Sequence, residues 1–201
     1  MTPTKKDTIQ KLLLQCKYLA VIALCEERRD ADEWYFLALA YDQHGAIRKG
    51  NGQTFKIFLK KARREILIGR EHYPQDLRFL FLLGLINLHT QNPKEALRCF
   101  EEHYKISRDP KMLISIANAQ KADGDFLKAI RTYRRAQRFN ISSPLLMYHN
   151  IAAAYLLMGN KKKALSLAKK GLLEPVTNPF EEQIHRELER IVEKYSPHSE
   201  R

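Results

Sequence analysis

MLISIANAQKADGDFLKAIRTYRRAQRFN, residues 112–140, reads as two short helices joined by a turn. Leu113, Ile116, Ala117 and Ala119 fall on one face of the first segment. Phe126, Ala129, Ile130, Tyr133 and Ala136 recur at helical spacing in the second. Gly124 and Asp125 break the pattern between them. The small residues Ala117 and Ala129 stand where two helices of a hairpin must come close. A hairpin of this size cannot bury its apolar stripe alone, and needs a copy of itself on each side.

The copies are present. Ala62, Ala96, Ala129 and Ala164 recur at intervals of 34, 33 and 35 residues. Ile66, Phe100, Tyr133 and Ala168 follow each of them four residues later. Leu83, Ile116 and Ile151 keep the same period, each followed by a small residue, Gly84, Ala117 or Ala152. Gly124 and Gly159 mark equivalent turns. A small residue lets two helix backbones approach, and a large apolar residue one turn away fills the adjoining gap. No strand-like alternation interrupts these helical patterns.

A helix–turn–helix unit of this length resembles the tetratricopeptide repeat. Trp34, Leu37, Ala38 and Tyr41 stand like that family's W-x-x-L-G-x-x-Y run, with Ala in place of Gly. Gly124, Phe126, Ala129, Tyr133 and Ala136 match the second half of the motif; Gly159, Ala164 and Gly171 match it less fully. The family's terminal proline is replaced by Ile141 and Val176. The resemblance implies an all-α fold, a right-handed α-solenoid of helix-turn-helix repeats with a C-terminal capping helix. First helices would line a concave groove, and second helices the outer surface.

On this reading residues 1–6 are a flexible N-terminus and 7–177 a repeat array, divided at about 7–30, 31–74, 75–109, 110–143 and 144–177. Residues 178–195 form the capping helix and 196–201 a flexible tail. A first helix runs from Asp7, as cap, to about Gln15, and a second from about Lys17 to Arg28. A third runs from about Glu33 to His44, with Asp30 or Asp32 as its cap and Gly45 ending it. The repeat from Ala31 is about twelve residues longer than the family spacing. Its turn is therefore read as expanded into GAIRKGNGQTFK, residues 45–56, around a long helix from Thr54 to Tyr73.

Composition narrows the function. The 201 residues are 44% hydrophobic, with eight Gly and eight Pro and a formal charge of +12. That charge favours an acidic partner, whether nucleic acid, protein or membrane surface. Cys16, Cys25 and Cys99 make no C-x-x-C pair; each lies in an apolar helical pattern, as expected of reduced, buried thiols in a reducing compartment. No apolar run is long enough to span a bilayer. The stretch KLLLQCKYLAVIALC, residues 11–25, has a leader-like look, but Gln15 and Lys17 interrupt it and EERRD follows. It is read as a helical hairpin, and the protein as cytoplasmic.

The seven histidines form no metal-protease pattern, and neither a nucleophile elbow nor a phosphate loop occurs. The expectation is a non-enzymatic scaffold with no cofactor and no metal. By resemblance, the groove-facing positions are Tyr35, Arg78, Phe81, Lys111, Ser115, Asn118, Lys121, His149 and Asn150, joined by the apolar Leu82 and Leu85. Asn118 and Asn150 resemble asparagines with which family members hold a peptide backbone, since an amide both donates and accepts. Ile114 stands where a carboxylate clamp would need a lysine, so an apolar and amide groove for a protein or peptide segment is expected. The rival site is a basic ridge on the second helices: Lys60, Lys61, Arg64, Arg131, Arg134, Arg135, Lys162 and Lys163. It would bind RNA or an acidic protein, with strong salt dependence. A third reading is a homo-oligomer formed through the N-terminal hairpin, around Leu12, Leu13, Leu14 and Tyr18.

Overall fold

The structure, a computed structural model, describes residues 4–25, 30–47 and 52–196. Eleven helices account for all the regular structure among these residues. The chain divides into two compact units, Met1–Ser107 and Arg108–Arg201.

The first unit holds α1 (Lys5–Leu14), α2 (Tyr18–Leu24), α3 (Ala31–Ile47), α4 (Gly52–His72), α5 (Leu77–His89) and α6 (Pro93–Ser107). They pair as hairpins, α1 with α2, α3 with α4 and α5 with α6, and each hairpin packs on the next. The second unit holds α7 (Met112–Ala122), α8 (Phe126–Gln137), α9 (Pro144–Leu157), α10 (Lys161–Gly171) and α11 (Pro179–Tyr195). Here α7 pairs with α8 and α9 with α10, while α11 covers both α9 and α10.

The repeat residues do what their size demands. Ala62, Ala96, Ala129 and Ala164 are wholly buried, as are Ala117 and Ala152. Gly84 lies under the Phe100 ring, so that a Cβ there would stand 2.4 Å from Cε1. Phe100 and Tyr133, equivalent in the repeat, are the large buried side chains beside these small ones.

Four hairpin turns close in one way. At Gly124 and Gly159, with φ of 87° and 76°, the chain takes the left-handed conformation that glycine adopts without strain. Cys16 and Gln91 adopt it too, at 56° and 59°. Each turn makes the same pair of backbone bonds: Gly124 N–H to Lys121 O and Asp125 N–H to Gln120 O, Gln91 to Leu88 and Asn92 to Asn87, Cys16 to Leu13 and Lys17 to Leu12, Gly159 to Leu156 and Asn160 to Tyr155. This is the Schellman closure, which satisfies carbonyls that the helix end would otherwise leave open.

Several expectations are corrected. Helix α1 begins at Lys5, inside the segment expected to be flexible, because Lys5 pairs with Glu33 and Lys6 with Asp32 at 2.5 Å. Its cap is Thr4, and Asp7 is the reciprocal partner three residues in. Helix α2 ends at Leu24; residues 26–29, expected to continue it, lie outside the described residues. Gly45 does not end α3, which runs on to Ile47, and α4 begins at Gly52 rather than Thr54. The extra length of this repeat thus goes largely into two longer helices; 48–51, the rest of the expected turn, lie outside the described residues. So do 1–3 and 197–201, within the two termini expected to be flexible. Cys25 and Cys99 are buried, but Cys16 is exposed because it is the turn residue. In the N-terminal hairpin Tyr18 is buried, Leu12 and Leu13 are half-buried and Leu14 is exposed.

Candidate binding site

In the second unit, α7 and α9 bring three of the expected groove residues together. Tyr133 of α8 is wholly buried, and its hydroxyl donates to Asn118 Oδ1 at 2.5 Å. One turn further along α7, Lys121 holds its ammonium 5.8 Å from the Tyr133 ring centre. Lys121 is half-buried, and no carboxylate among the described residues pairs with it. Burial lowers its pKa, because the charged form loses solvation.

His149 of α9 faces the same cluster. Its Nε2 stands 2.8 Å from Glu187 Oε2 on α11. Burial lowers the His149 pKa; Glu187 opposes that shift, and the Lys121 charge adds to it. The neutral ring must therefore donate from Nε2 to the carboxylate, leaving Nδ1 as a bare acceptor. That Nδ1 is buried with no hydrogen-bond partner. Ser115 is half-buried one turn before Asn118 on the same face of α7, and Lys111 is exposed just before the helix. Asn150 is buried, 8% exposed, so its amide is turned into the packing.

The first unit holds Tyr35, Arg78 and Phe81. Arg78 is bound to Asp76 through three contacts of 2.6–3.1 Å and to Asp32 at 2.6 Å. Its guanidinium carbon sits 4.9 Å from the Tyr35 ring centre. Hydrogen bonds from Lys6 and Arg78 hold the Asp32 carboxyl below its usual range, and those from Arg78 do the same for Asp76. Arg78 therefore serves as a lock between the start of α5 and α3, with a donor engaged on each of its three nitrogens. Phe81 packs 5.8 Å from Phe100 and 6.4 Å from His103 on the second helix of its own hairpin. Leu82 is core, while Leu85 is half-buried.

Every residue of the expected basic ridge is exposed: Lys60, Lys61 and Arg64 on α4, Arg131, Arg134 and Arg135 on α8, and Lys162 and Lys163 on α10. Lys61 lies 5.6 Å from the Tyr41 ring centre, and Lys163 lies 5.3 Å from that of Tyr155. Both rings are thus partly covered by the protein's own cations.

Residues that the sequence reading passed over complete these clusters. Asp32 and Arg78 are 46 positions apart, and no local pattern links them. Glu187 reads in sequence as one charge among many on an exposed helix face. Asp76, which caps α5 two residues before Arg78, carries a local signal, an acidic residue at a helix start.

No protein-family model and no curated protein sequence matches the chain. Solved structures do. A tetratricopeptide repeat protein from Parabacteroides merdae superposes with a TM-score of 0.68 at 14% identity, over 98% of this chain and 79% of that one. MamA of strain AMB-1 gives 0.63 at 19% identity, over 84% and 96%. YrrB, described as a TPR protein with an unusual peptide-binding site, gives 0.54 at 15% identity, over 84% and 83%. These likenesses establish the fold as all-α and of tetratricopeptide-repeat type, an α-solenoid. Among the described residues no helix is long and apolar enough to cross a membrane.

Proposed function

We propose that this chain is a non-enzymatic scaffold that holds a peptide or helix of a partner protein against the first-helix face of its second unit, α7 and α9. One observation carries the reading: Lys121 is half-buried on that face without a carboxylate, beside Asn118 and a neutral His149. A half-buried ammonium is costly to keep without an anion, and a partner's carboxylate or backbone carbonyl would supply one. Asn118 still has two amide donors beyond the oxygen used by Tyr133. Ile114 on α7 and Leu146 and Leu156 on α9 are half-buried at first-helix positions and offer apolar contact. The peptide-binding description of YrrB supports the view that this fold accommodates such a ligand. The three free thiols suit a cytoplasmic setting.

Ser115→Arg and Lys121→Ala test this by blocking and then discharging the face. Partners captured from lysate should be lost with both variants; an unchanged set contradicts the assignment. The basic face is the second reading, favoured by the exposure of Arg131, Arg134 and Lys162, none of which pairs with a described carboxylate. It predicts retention on heparin and binding of single-stranded RNA that falls steeply with salt. Arg131→Glu combined with Arg134→Glu would abolish that binding and leave α7 intact.

A further inference from the structure

The longer repeat builds something that the other repeats lack. Helices α6, α8 and α10 each begin three residues before their repeat alanine, at Pro93, Phe126 and Lys161. By that register α4 would begin at Leu59, yet it begins at Gly52. The seven additional residues make about two extra turns, or roughly 10 Å of helix. One side of this overhang is covered: the Phe58 ring packs 4.5 Å from His44 and 6.1 Å from Tyr41, on α3. Another side faces the turn between α5 and α6, and there a cavity of about 420 Å³ opens. Leu59 and Ile86, both buried, form its apolar floor, and half-buried Phe55 forms a wall. Lys56, Lys60 and Arg63 stand exposed around it. None of the three pairs with a carboxylate among the described residues.

We propose that this cavity is a docking site for an acidic segment of a partner protein, which inserts a large apolar side chain between carboxylates. The spacing selects that ligand. Lys56, Lys60 and Arg63 follow one another along α4 at four and three residues, so they span roughly 10 Å of helix. A single carboxylate or phosphate cannot meet all three, whereas a segment with several acids in line can. The buried floor calls for an apolar group that a plain polyanion does not carry. Steering by the +12 chain would bring such a segment in. The site lies within the first unit and uses no residue of α7 or α9, so it stands or falls apart from the face proposed above.

A fluorescein-labelled peptide rich in Glu and Asp with a central Phe-Leu pair is the probe, read by anisotropy at low and physiological salt. Its companions are the same peptide with Ser-Ser at the centre and a uridine oligonucleotide. The exposed positions allow Lys60→Glu and Arg63→Glu without disturbing the core; Phe55→Ser tests the wall, with circular dichroism as the check on folding. The expected result is binding weakened about tenfold or more by either charge reversal and by the Ser-Ser replacement. Arg98→Glu, an exposed reversal on α6 outside the cavity lining, should bind as the parent protein does. Equal binding of the Ser-Ser peptide, tighter binding of the oligonucleotide with the same loss in the variants, or no binding of the probe at low salt would each overturn the proposal.

Discussion

The hydroxyl of Tyr133, wholly buried, donates to Asn118 Oδ1 at 2.5 Å, tying the repeat's largest core side chain to the partly exposed face of α7. Asn118 therefore has a structural role besides its place on the face proposed to bind. Asn118→Ala would leave the Tyr133 hydroxyl without its partner, at a cost of about 1–3 kcal/mol. Tyr133→Phe removes donor and demand together and should cost about 1 kcal/mol or less. Urea unfolding of both variants and their double mutant measures the coupling. A neutral Asn118→Ala would show the bond to be unimportant.

Arg78 predicts an acid-sensitive lock. Asp32 and Asp76 have folded pKa values below their ordinary 3.8, so the stability they contribute is fully present above that value. It is lost as pH falls through the lowered values, where the carboxylates take up protons. The Asp32→Asn, Asp76→Asn double variant should lose this part of the acid dependence. With solvent screening of the partly exposed Arg78, its cost at neutral pH should be about 1 kcal/mol. Thermal melts across the acid range check it; parallel pH curves for parent and variant would refute the lock.

His149 sets a second pH dependence of the same sign. Its folded pKa lies below the ordinary 6.5, so its neutral form is favoured in the folded protein. Stability should be level above that value and decline as pH falls below it, since the unfolded chain then binds the proton more readily. Glu187 and Lys121 are the charges that face the ring. His149→Gln should flatten the fall in melting temperature below pH 6.5. An undiminished slope in the variant would place the titration elsewhere.

The turns can be tested by exchange. Gly124→Ala meets no atom within 4 Å, so its cost is the left-handed backbone alone, about 1 kcal/mol. Gln91→Gly relieves the same strain and should stabilise by about 1 kcal/mol or less. Gly84→Ala acts differently: its Cβ would strike the buried Phe100 ring, for about 1–3 kcal/mol. Denaturant midpoints that ran in the opposite order would contradict the shared turn geometry.

These contrasts show where sequence reading stops. The alanine register from Ala62 to Ala164 was legible because steric need recurs at a fixed period, and all four are wholly buried. Gly124 and Gly159 announced their turns; Cys16 and Gln91 did not, because only the surrounding closure holds such side chains in a left-handed conformation. Gly45, Gly50 and Gly52 suggested a long loop, yet packing between α3 and α4 carries helix through Gly45 and starts it again at Gly52. Asn118, Lys121 and His149 were found as positions on a helix face. Burial of Asn150 and engagement of Arg78 by Asp32 depend on contacts that no spacing encodes.

In the second unit the proposed contact is the α7–α9 face and not the basic face of α8. A photo-crosslinking residue placed at Ser115 in one version of the protein and at Arg134 in another tests it most directly, with illumination in lysate. A discrete adduct is expected from position 115, removed by Lys121→Ala, and none from position 134. An adduct from position 134 alone would contradict it.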